Sequence, residues 1–315
     1  VYADRDGHIE YLYNARLPRR AEGYDWSQYL PGDTSETLWG RPLPFEALPR
    51  VQDPPAGFVM NANSSPFQAT LGPGNPDPAA YSATLGIETH LTNRARRALE
   101  LLGADEDLTR AELDRIKFDV AYSRESRVAQ ALRGLLSAAP PPDPATREGL
   151  ELLRGWDLRA DPDNPAAALA LLTLQPSHDD DPGDADTAAR MRRLADAVRR
   201  MTAAFGRLDV PLAEVQRLRR GDLDLGVGGA PDVLRAVYAR PHDDGRRGGH
   251  AGDSYLLMVE WDPDGAVHSR SIHQYGSATL DERSLHYADQ APLFVGQELK
   301  PVWMDEDQVL SLIHI

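Results

Sequence analysis

The local pattern of the sequence changes twice along the chain. The first part consists of short alternating runs and long loops rich in glycine and proline. Over residues 90–217 apolar side chains recur at helical spacing, as in Ala95, Leu99 and Leu102. Alternation then returns and includes two strand-like runs joined by a tight turn at 262–265. Segments of β type that flank a helical stretch predict an α+β fold.

These changes of pattern also predict how the chain is organised. We expect a β-rich core segment with long loops, then a helical insertion, then a second β-rich core segment. In that order the segments cover residues 1–89, 90–220 and 221–310. One sheet system is expected to draw its strands from residues 1–20, 57–63 and 232–275. The polar run 245–252 is interpreted as a mobile loop, and residues 311–315, which do not continue the pattern, as a non-native tail.

Composition excludes several classes of function. The net charge of −15 argues against nucleic-acid binding, because contacts with phosphates need clustered cations. The chain has no cysteine, so this stretch holds no disulfide, thiolate metal site or cysteine nucleophile. No apolar run approaches the roughly 20 residues that cross a membrane. The acidic run 179–186 is interpreted as a solvated loop and helix N-terminus rather than as a cation site.

Two asparagines form the most informative local pattern. An apolar run that starts at Gly57 leads into Asn61 and Asn63 and ends at Pro66. We predict a strand over 57–63, in which alternation places both asparagines on one face. A neutral amide nitrogen at a strand end can donate to a developing oxyanion without titrating. Asparagine before Ser-Pro can instead be a turn residue that caps its own backbone, and the pattern alone leaves both interpretations open.

Several motifs occur in an order that resembles one known family. They are Gly7-His8-Ile9-Glu10-Tyr11, Leu17-Pro18-Arg19-Arg20, Leu30-Pro31-Gly32-Asp33, Leu38-Trp39-Gly40, Leu43-Pro44-Phe45-Glu46-Ala47-Leu48-Pro49, the asparagine run, Thr92-Asn93-Arg94 and Ser284-Leu285-His286-Tyr287-Ala288-Asp289-Gln290. Together they resemble the β-chain of the penicillin acylase family of N-terminal nucleophile hydrolases. Acyl-homoserine-lactone acylases and cephalosporin acylases belong to the same family. The resemblance covers both ends of the chain and is looser in the helical middle.

The resemblance implies a fold and a reaction. The fold would be a partial four-layer αββα core with a large helical insertion. The reaction would be hydrolysis of a linear amide C–N bond in an N-acylated small molecule through an acyl-enzyme. Substrates would be of the β-lactam side-chain or N-acyl-homoserine-lactone type, as in antibiotic biosynthesis or quorum quenching. The location implied is periplasmic or secreted.

The nucleophile of the resembled family is a Ser, Cys or Thr exposed at the β-chain N-terminus by autocatalytic cleavage of a zymogen. Its own α-amino group, with a reference pKa of about 8, is the base. Val1 has no nucleophilic side chain. The resemblance therefore implies a fragment that lacks the α-chain and the upstream part of the β-chain, and that is inactive alone.

The resemblance assigns roles to two residues of the site. Asn63 would hold the tetrahedral oxyanion. Arg94 would lie beside the nucleophile, orient neighbouring carbonyls and disfavour protonation of the α-amino group. The alternative for Arg94 is a helix-surface arginine, since Arg96 and Arg97 follow it closely.

The other family-type residues are expected to act indirectly. Asn61 either contacts Asn63 and helps to position it, or is a structural strand residue. His286, Asp289 and Gln290 are interpreted as a structural hydrogen-bond cluster, because the general base of the family is the N-terminal amine rather than a histidine.

No cofactor is expected. Many relatives bind a structural calcium ion, and the resemblance leaves one possible here, although Ala83 stands where its aspartate is expected. No histidine or cysteine spacing indicates zinc. Two rivals remain: a catalytically inactive homologue that acts as a binding or scaffold protein, and a carbohydrate-binding β-protein that uses Trp26 and Trp39. The long helical middle argues against the second rival.

Overall fold

The structure is a computed structural model that describes residues 1–175 and 186–312. It divides into two compact units whose boundary in sequence lies between Thr109 and Arg110. This boundary falls inside the predicted helical insertion, and the division at residues 89 and 220 stays a prediction. None of the described helices combines the length and the apolar character of a membrane span.

The first unit combines a small antiparallel sheet with short turns and one helix. Strands β1 (Tyr2–Ala3), β2 (Ile9–Leu12) and β3 (Arg50–Gln52) pair in that order. The loops of this unit contain five 3₁₀ turns, at Ser35–Thr37, Phe45–Ala47, Pro66–Gln68, Pro78–Ala80 and Ala83–Leu85. Helix α1 (Asn93–Leu102) begins after Thr92. Tyr11, Val51 and Ala69 are buried together, so the sheet packs against the loop that follows the asparagine pattern.

The second unit contains the main hydrophobic core. Its helices are α2 (Arg110–Lys117), α3 (Arg127–Leu136), α4 (Pro144–Arg154), α5 (Ala167–Leu174), α6 (Thr187–Phe205), α7 (Leu212–Val215), α8 (Ala291–Gly296) and α9 (Glu306–Leu312). Helix α5 is apolar on all sides, and every residue of it except Leu172 is buried. Helices α4 and α6 approach closely at Gly149, where an added Cβ atom would lie 2.7 Å from Val198 Cγ2.

The second unit also contains two sheets. One sheet consists of β4 (Gln216–Arg220), β5 (Leu223–Gly226), β6 (Val237–Pro241) and β7 (Arg247–Gly252). Its strand order is β5-β4-β7-β6, and only the β4–β7 pair is parallel. Strands β8 (Tyr255–Trp261), β9 (Val267–His273) and β10 (Lys300–Pro301) form an antiparallel sheet in the order β10-β9-β8. Strands β8 and β9 are the predicted hairpin, which is confirmed.

Three expectations about strands were wrong. Residues 57–63 form no strand, because their hydrogen bonds go to a neighbouring loop: Met60 N donates to Ala69 O at 2.8 Å, and Thr70 Oγ1 donates to Phe58 O at 2.8 Å. The strands form three sheets rather than one sheet system.

The third wrong expectation concerns residues 245–252, which are strand β7 from Arg247 onward rather than a loop. Glycines at 248 and 249 hide this strand from sequence analysis because they provide no apolar alternation. A Cβ atom at Gly248 would lie 2.1 Å from His242 Nε2, so a larger residue there would displace the imidazole of His242.

Two other expectations fall largely outside the described residues. Of the acidic run 179–186 only Asp186 is described, and its side chain accepts from Ala189 N at 2.6 Å, which caps α6. Residues 313–315 of the expected non-native tail also lie outside the described part of the chain.

Candidate active site

The asparagine pattern lies on a turn that its surroundings hold firmly. The side chain of Asn75 closes the loop behind the turn: Oδ1 accepts from Ala69 N at 2.9 Å and from Thr70 N at 3.2 Å, and Nδ2 donates to Thr70 O at 2.8 Å. Ser65 N donates to His90 O at 3.1 Å on the other side. The turn therefore presents its exposed side chains from a fixed backbone.

Asn61 and Asn63 do not share a face of an extended segment, which corrects the expectation from alternation. Asn61 Oδ1 accepts from Asn63 N at 3.2 Å, and Asn63 has a φ of 53°, in the left-handed region. Asparagine tolerates this conformation better than most residues with a Cβ atom. The backbone at Asn63 is thus the turn of the alternative interpretation, yet its side chain remains exposed.

Arg94 contacts the exposed side chain of Asn63. Its Nη2 atom donates to Asn63 Oδ1 at 3.1 Å. A guanidinium group can only donate, so the accepting atom must be the amide oxygen. The amide nitrogen then faces away from Arg94, and within the described part of the chain it has no hydrogen-bond partner. A donor with this orientation and exposure is available to an oxyanion.

The start of helix α1 places Arg94 against the turn. Thr92 Oγ1 donates to Ala62 O at 3.0 Å and accepts from Ala95 N at 3.1 Å, so one hydroxyl joins the turn to the helix N-terminus. No acidic residue occupies the first helical turn, and the helix dipole disfavours a cation there. Arg97 faces Glu100 instead, at 2.7 Å. Among the arginines of this helix, Arg94 is the one observed to contact the asparagine turn.

Tyr11 of strand β2 supports Asn61, a connection that sequence analysis missed, and Tyr13 lies just after the strand. Burial raises the pKa of Tyr11, and a hydrogen bond with Asn61 partly offsets that increase. Burial and a 2.6 Å hydrogen bond to Glu88 raise the pKa of Tyr13 far above its usual range. Both phenols are therefore neutral at ordinary pH. The alternation of Tyr11 and Tyr13 in the sequence was the available signal for their shared face.

A buried polar atom lies next to Asn63. Ser64 is 4% exposed, and its Oγ atom has no hydrogen-bond partner among the residues that the structure describes. An unsatisfied buried hydroxyl costs roughly 1–3 kcal/mol.

His286, Asp289 and Gln290 lie together in the second unit. His286 Nδ1 is 2.9 Å from Asp289 Oδ2, and Gln290 Oε1 accepts from His273 N at 3.0 Å. Gln290 is buried, and its backbone N donates to Tyr275 O at 2.8 Å. These contacts join the segment to the end of β9. Their geometry suits a structural cluster, and that role stays a prediction.

The calcium site that the family resemblance implies would lack one oxygen ligand in this chain. Ala83 begins a 3₁₀ turn capped by the Ser82 hydroxyl, and a methyl side chain offers no oxygen ligand. Across residues 1–175 and 186–312, no group of three or more histidine, aspartate or glutamate side chains could hold a metal ion.

The described residues combine helices with three sheets, an α+β architecture that the sequence predicted. The profile of the penicillin amidase family matches residues 1–311, so the chain belongs to this family. A solved structure, a thermostable penicillin G acylase from Alcaligenes faecalis, superposes with a TM-score of 0.56 at 16% sequence identity, over 98% of this chain and 65% of that chain. This likeness confirms the predicted fold class.

Two relatives align with parts of the chain. It is 31% identical over 173 residues to penicillin acylase 2 proenzyme from Pseudomonas sp. (strain SE83), which covers 53% of this chain and 20% of the proenzyme. It is 40% identical over 65 residues to penicillin G acylase from Escherichia coli, which covers 21% of this chain and 8% of that enzyme. The aligned part thus spans about a fifth or less of these relatives' length.

Proposed function

We propose that this chain is part of an amidohydrolase that cleaves the linear amide C–N bond of an N-acylated small molecule through an acyl-enzyme. The observation that carries the proposal is the contact between Arg94 Nη2 and Asn63 Oδ1, which turns the amide nitrogen of Asn63 outward. Membership of the penicillin amidase family supports the reaction class.

In the proposed mechanism Asn63 Nδ2 donates to the oxyanion that forms when the nucleophile attacks the scissile carbonyl. Arg94 holds the other end of the same amide, and its positive charge polarises the group, which strengthens the N–H donor. Asn61 fixes the backbone of Asn63 through the 3.2 Å hydrogen bond to Asn63 N. The family resemblance supplies the nucleophile, the N-terminal residue of the β-chain, whose α-amino group takes the proton.

The proposed substrate class is an amide of a carboxylic acid with a small amine. The names of the relatives favour a β-lactam side-chain amide, and the family resemblance keeps N-acyl-homoserine lactones as candidates. The proposed partners are the α-chain and the upstream part of the β-chain, and the proposed location is periplasmic or secreted. Family membership and the helical core argue against a carbohydrate-binding β-protein.

The test is Asn63→Ala in the full-length, processed protein. We expect the acylation rate to fall by roughly 10²–10³, with KM nearly unchanged, because the donor acts mainly in the transition state. Asn61→Ala is the comparison: it removes a backbone support, so we expect a smaller rate loss and a stability loss of about 1 kcal/mol. Single-turnover kinetics and thermal unfolding measure the two effects.

Asn14→Ala is the matched control, because Asn14 is an exposed asparagine of the same unit. Self-cleavage passes through a similar oxyanion, so processed protein must be isolated before the rates are compared. A rate for Asn63→Ala within about threefold of the parent, less than 1 kcal/mol, would show that Asn63 is only a turn residue.

The rival from another class is an inactive homologue that binds or scaffolds. It keeps the same fold but predicts no amine release from the full-length parent protein. A Gly-Ser, Gly-Cys or Gly-Thr junction upstream of this chain would favour the enzyme, and its loss would favour the rival.

A further inference from the structure

A cavity of about 690 Å³ lies in the second unit between the C-terminal part of α6 and the turn that joins β6 to β7. This volume is in the range of sites for small organic ligands. The candidate active site uses none of its lining residues. What the cavity could bind follows from the chemistry of its walls.

One wall is apolar. Its apolar side chains are those of Leu172, Met201, Ala203, Ala204 and Pro241. The turn between β6 and β7 lies directly on α6, since a Cβ atom at Gly245 would be 2.4 Å from Ala204 Cβ. Gly245 has a φ of 78°, so the tight turn itself depends on glycine. An alkyl or aryl group could be buried against this wall.

Three arginines also line the cavity. Arg247 is buried, and its Nη2 atom donates to Ala239 O at 2.8 Å. Arg246 Nε donates to Glu214 O at 3.1 Å. Arg200 is exposed at the cavity, and within the described part of the chain it has neither a hydrogen-bond nor an ion-pair partner.

The arginines are close enough to affect one another. Burial, with a smaller contribution from the charge of Arg200, lowers the pKa of Arg247 to about 10. Like charges that face one cavity raise each other's free energy, and an anion between them relieves this repulsion.

Two aspartates also line the cavity, but they do not cancel the positive charge. Asp244 Oδ2 lies 2.5 Å from Arg219 Nη2 and 3.6 Å from Arg246 Nη1. Its hydrogen bond with Arg219, which is not part of the lining, is the main reason that its pKa is about 2. Asp243 is exposed on the turn. Three arginines therefore face one exposed carboxylate and one that is already paired.

We propose that this cavity binds an organic carboxylate with an apolar chain. Its carboxylate lies against Arg200 and Arg246, and its chain lies against Met201 and Ala204. The planar guanidinium of Arg200 suits a carboxylate because two parallel N–H donors can meet two oxygens. This inference does not depend on the proposed amidase function.

The test uses the full-length protein with ¹³C-labelled methionine methyl groups, titrated with decanoate. The methyl signal of Met201, assigned with Met201→Leu, reports on this cavity rather than on an acyl-binding site elsewhere. We expect a saturable shift with decanoate. Acetate has the charge without the chain, and decyltrimethylammonium has the chain with the opposite charge, so neither should produce the shift at the same concentrations.

Substitutions of exposed residues distinguish binding at this cavity from attraction by the overall charge of the protein. We expect Arg200→Gln to weaken decanoate binding about tenfold, because a charge-assisted contact is lost. Arg192→Gln makes the same charge change on the same helix outside the lining, and should leave affinity within about twofold, as expected of a distant, screened charge. Asp243→Asn removes the opposing charge and should tighten binding.

Three results would overturn the proposal. One is the absence of a saturable shift at Met201. Another is an equal loss of affinity in Arg200→Gln and Arg192→Gln, which would indicate attraction by overall charge. The third is equal binding of decyltrimethylammonium, which would indicate an apolar cavity without anion selectivity. Arg200 and Arg192 are both exposed, so these variants should fold like the parent.

Discussion

The side-chain amide of Asn63 has a defined orientation because its two ends face different surroundings. Its oxygen lies 3.1 Å from Arg94 Nη2, and its nitrogen faces outward. Arg94 therefore has two separable effects on the proposed reaction. It orients the amide of Asn63, and we propose that it also places a positive charge near the α-amino base of the nucleophile.

We predict that Arg94→Gln in the full-length enzyme moves the acid limb of the kcat/KM pH profile to higher pH. A nearby cation disfavours protonation of an amine, so its removal raises the pKa of the α-amino group, and a higher pH is needed for the free base. Arg94→Lys keeps the charge, so its limb should not move. Its kcat should still fall about tenfold, because an ammonium group orients the amide less firmly.

Arg96→Gln is the control, since it removes an equal charge from the same helix two residues away. Identical pH profiles for parent and Arg94→Gln would contradict the electrostatic role. An unchanged kcat in Arg94→Lys would contradict the orienting role.

At the residue scale, the sequence predicted which side chains meet at the candidate site better than it predicted their backbone conformations. Asn63 and Arg94 were chosen because the order of motifs resembles a family, and the structure places them in contact. Alternation predicted an extended Asn63, which was wrong because asparagine readily adopts a positive φ in a capped turn. Tyr11 was not chosen, since a buried tyrosine in a strand looks like an ordinary core residue.

Among the structural elements, helices α4 and α6 pack closely because one residue lacks a side chain. A Cβ atom at Gly149 would lie 2.7 Å from Val198 Cγ2 and 3.4 Å from Leu194 Cδ1. At Gly134, on helix α3, the nearest atoms would be 3.9 Å away. The two glycines therefore offer a matched comparison within one core.

We predict opposite effects of the same substitution at these positions. Gly149→Ala should lower the free energy of unfolding by about 1 kcal/mol, because overpacking costs roughly 1–3 kcal/mol and exceeds the gain in helix propensity. Gly134→Ala should raise it by about 0.5–1 kcal/mol, since alanine favours the helix and meets no close neighbour. Urea denaturation of both variants measures the difference, and equal shifts would contradict the packing argument.

Local elements were more predictable than their pairing. The hairpin of β8 and β9 was predicted correctly because a short turn determines its register. Strand β7 was not, since Gly248 and Gly249 contribute no pattern. The parallel pairing of β4 with β7 joins residues about thirty positions apart, and no local signal specifies it.

At the scale of the whole molecule, the proposed mechanism requires a nucleophile in addition to Asn63 and Arg94. The candidate site provides an oxyanion donor and a cation, and the family resemblance assigns the nucleophile to the N-terminus of the β-chain. We therefore predict that the 315-residue chain alone releases no amine from penicillins or N-acyl-homoserine lactones. The full-length processed protein is the positive control, and turnover by the isolated chain above the no-enzyme rate would contradict the proposed origin of the nucleophile.

The fold class was predictable because several motifs in one order are more specific than any of them alone. The family profile and the solved acylase structure confirm it. The expectation of a single sheet system was not met, because alternation locates strands without showing which strands pair.

The three separate sheets have a consequence for how the chain is made. Each sheet takes its strands from one continuous stretch, within residues 2–52, 216–252 and 255–301. Short separations keep the entropy of loop closure small. During synthesis, each sheet can therefore close soon after its last strand leaves the ribosome, without waiting for partners from the far end of the chain.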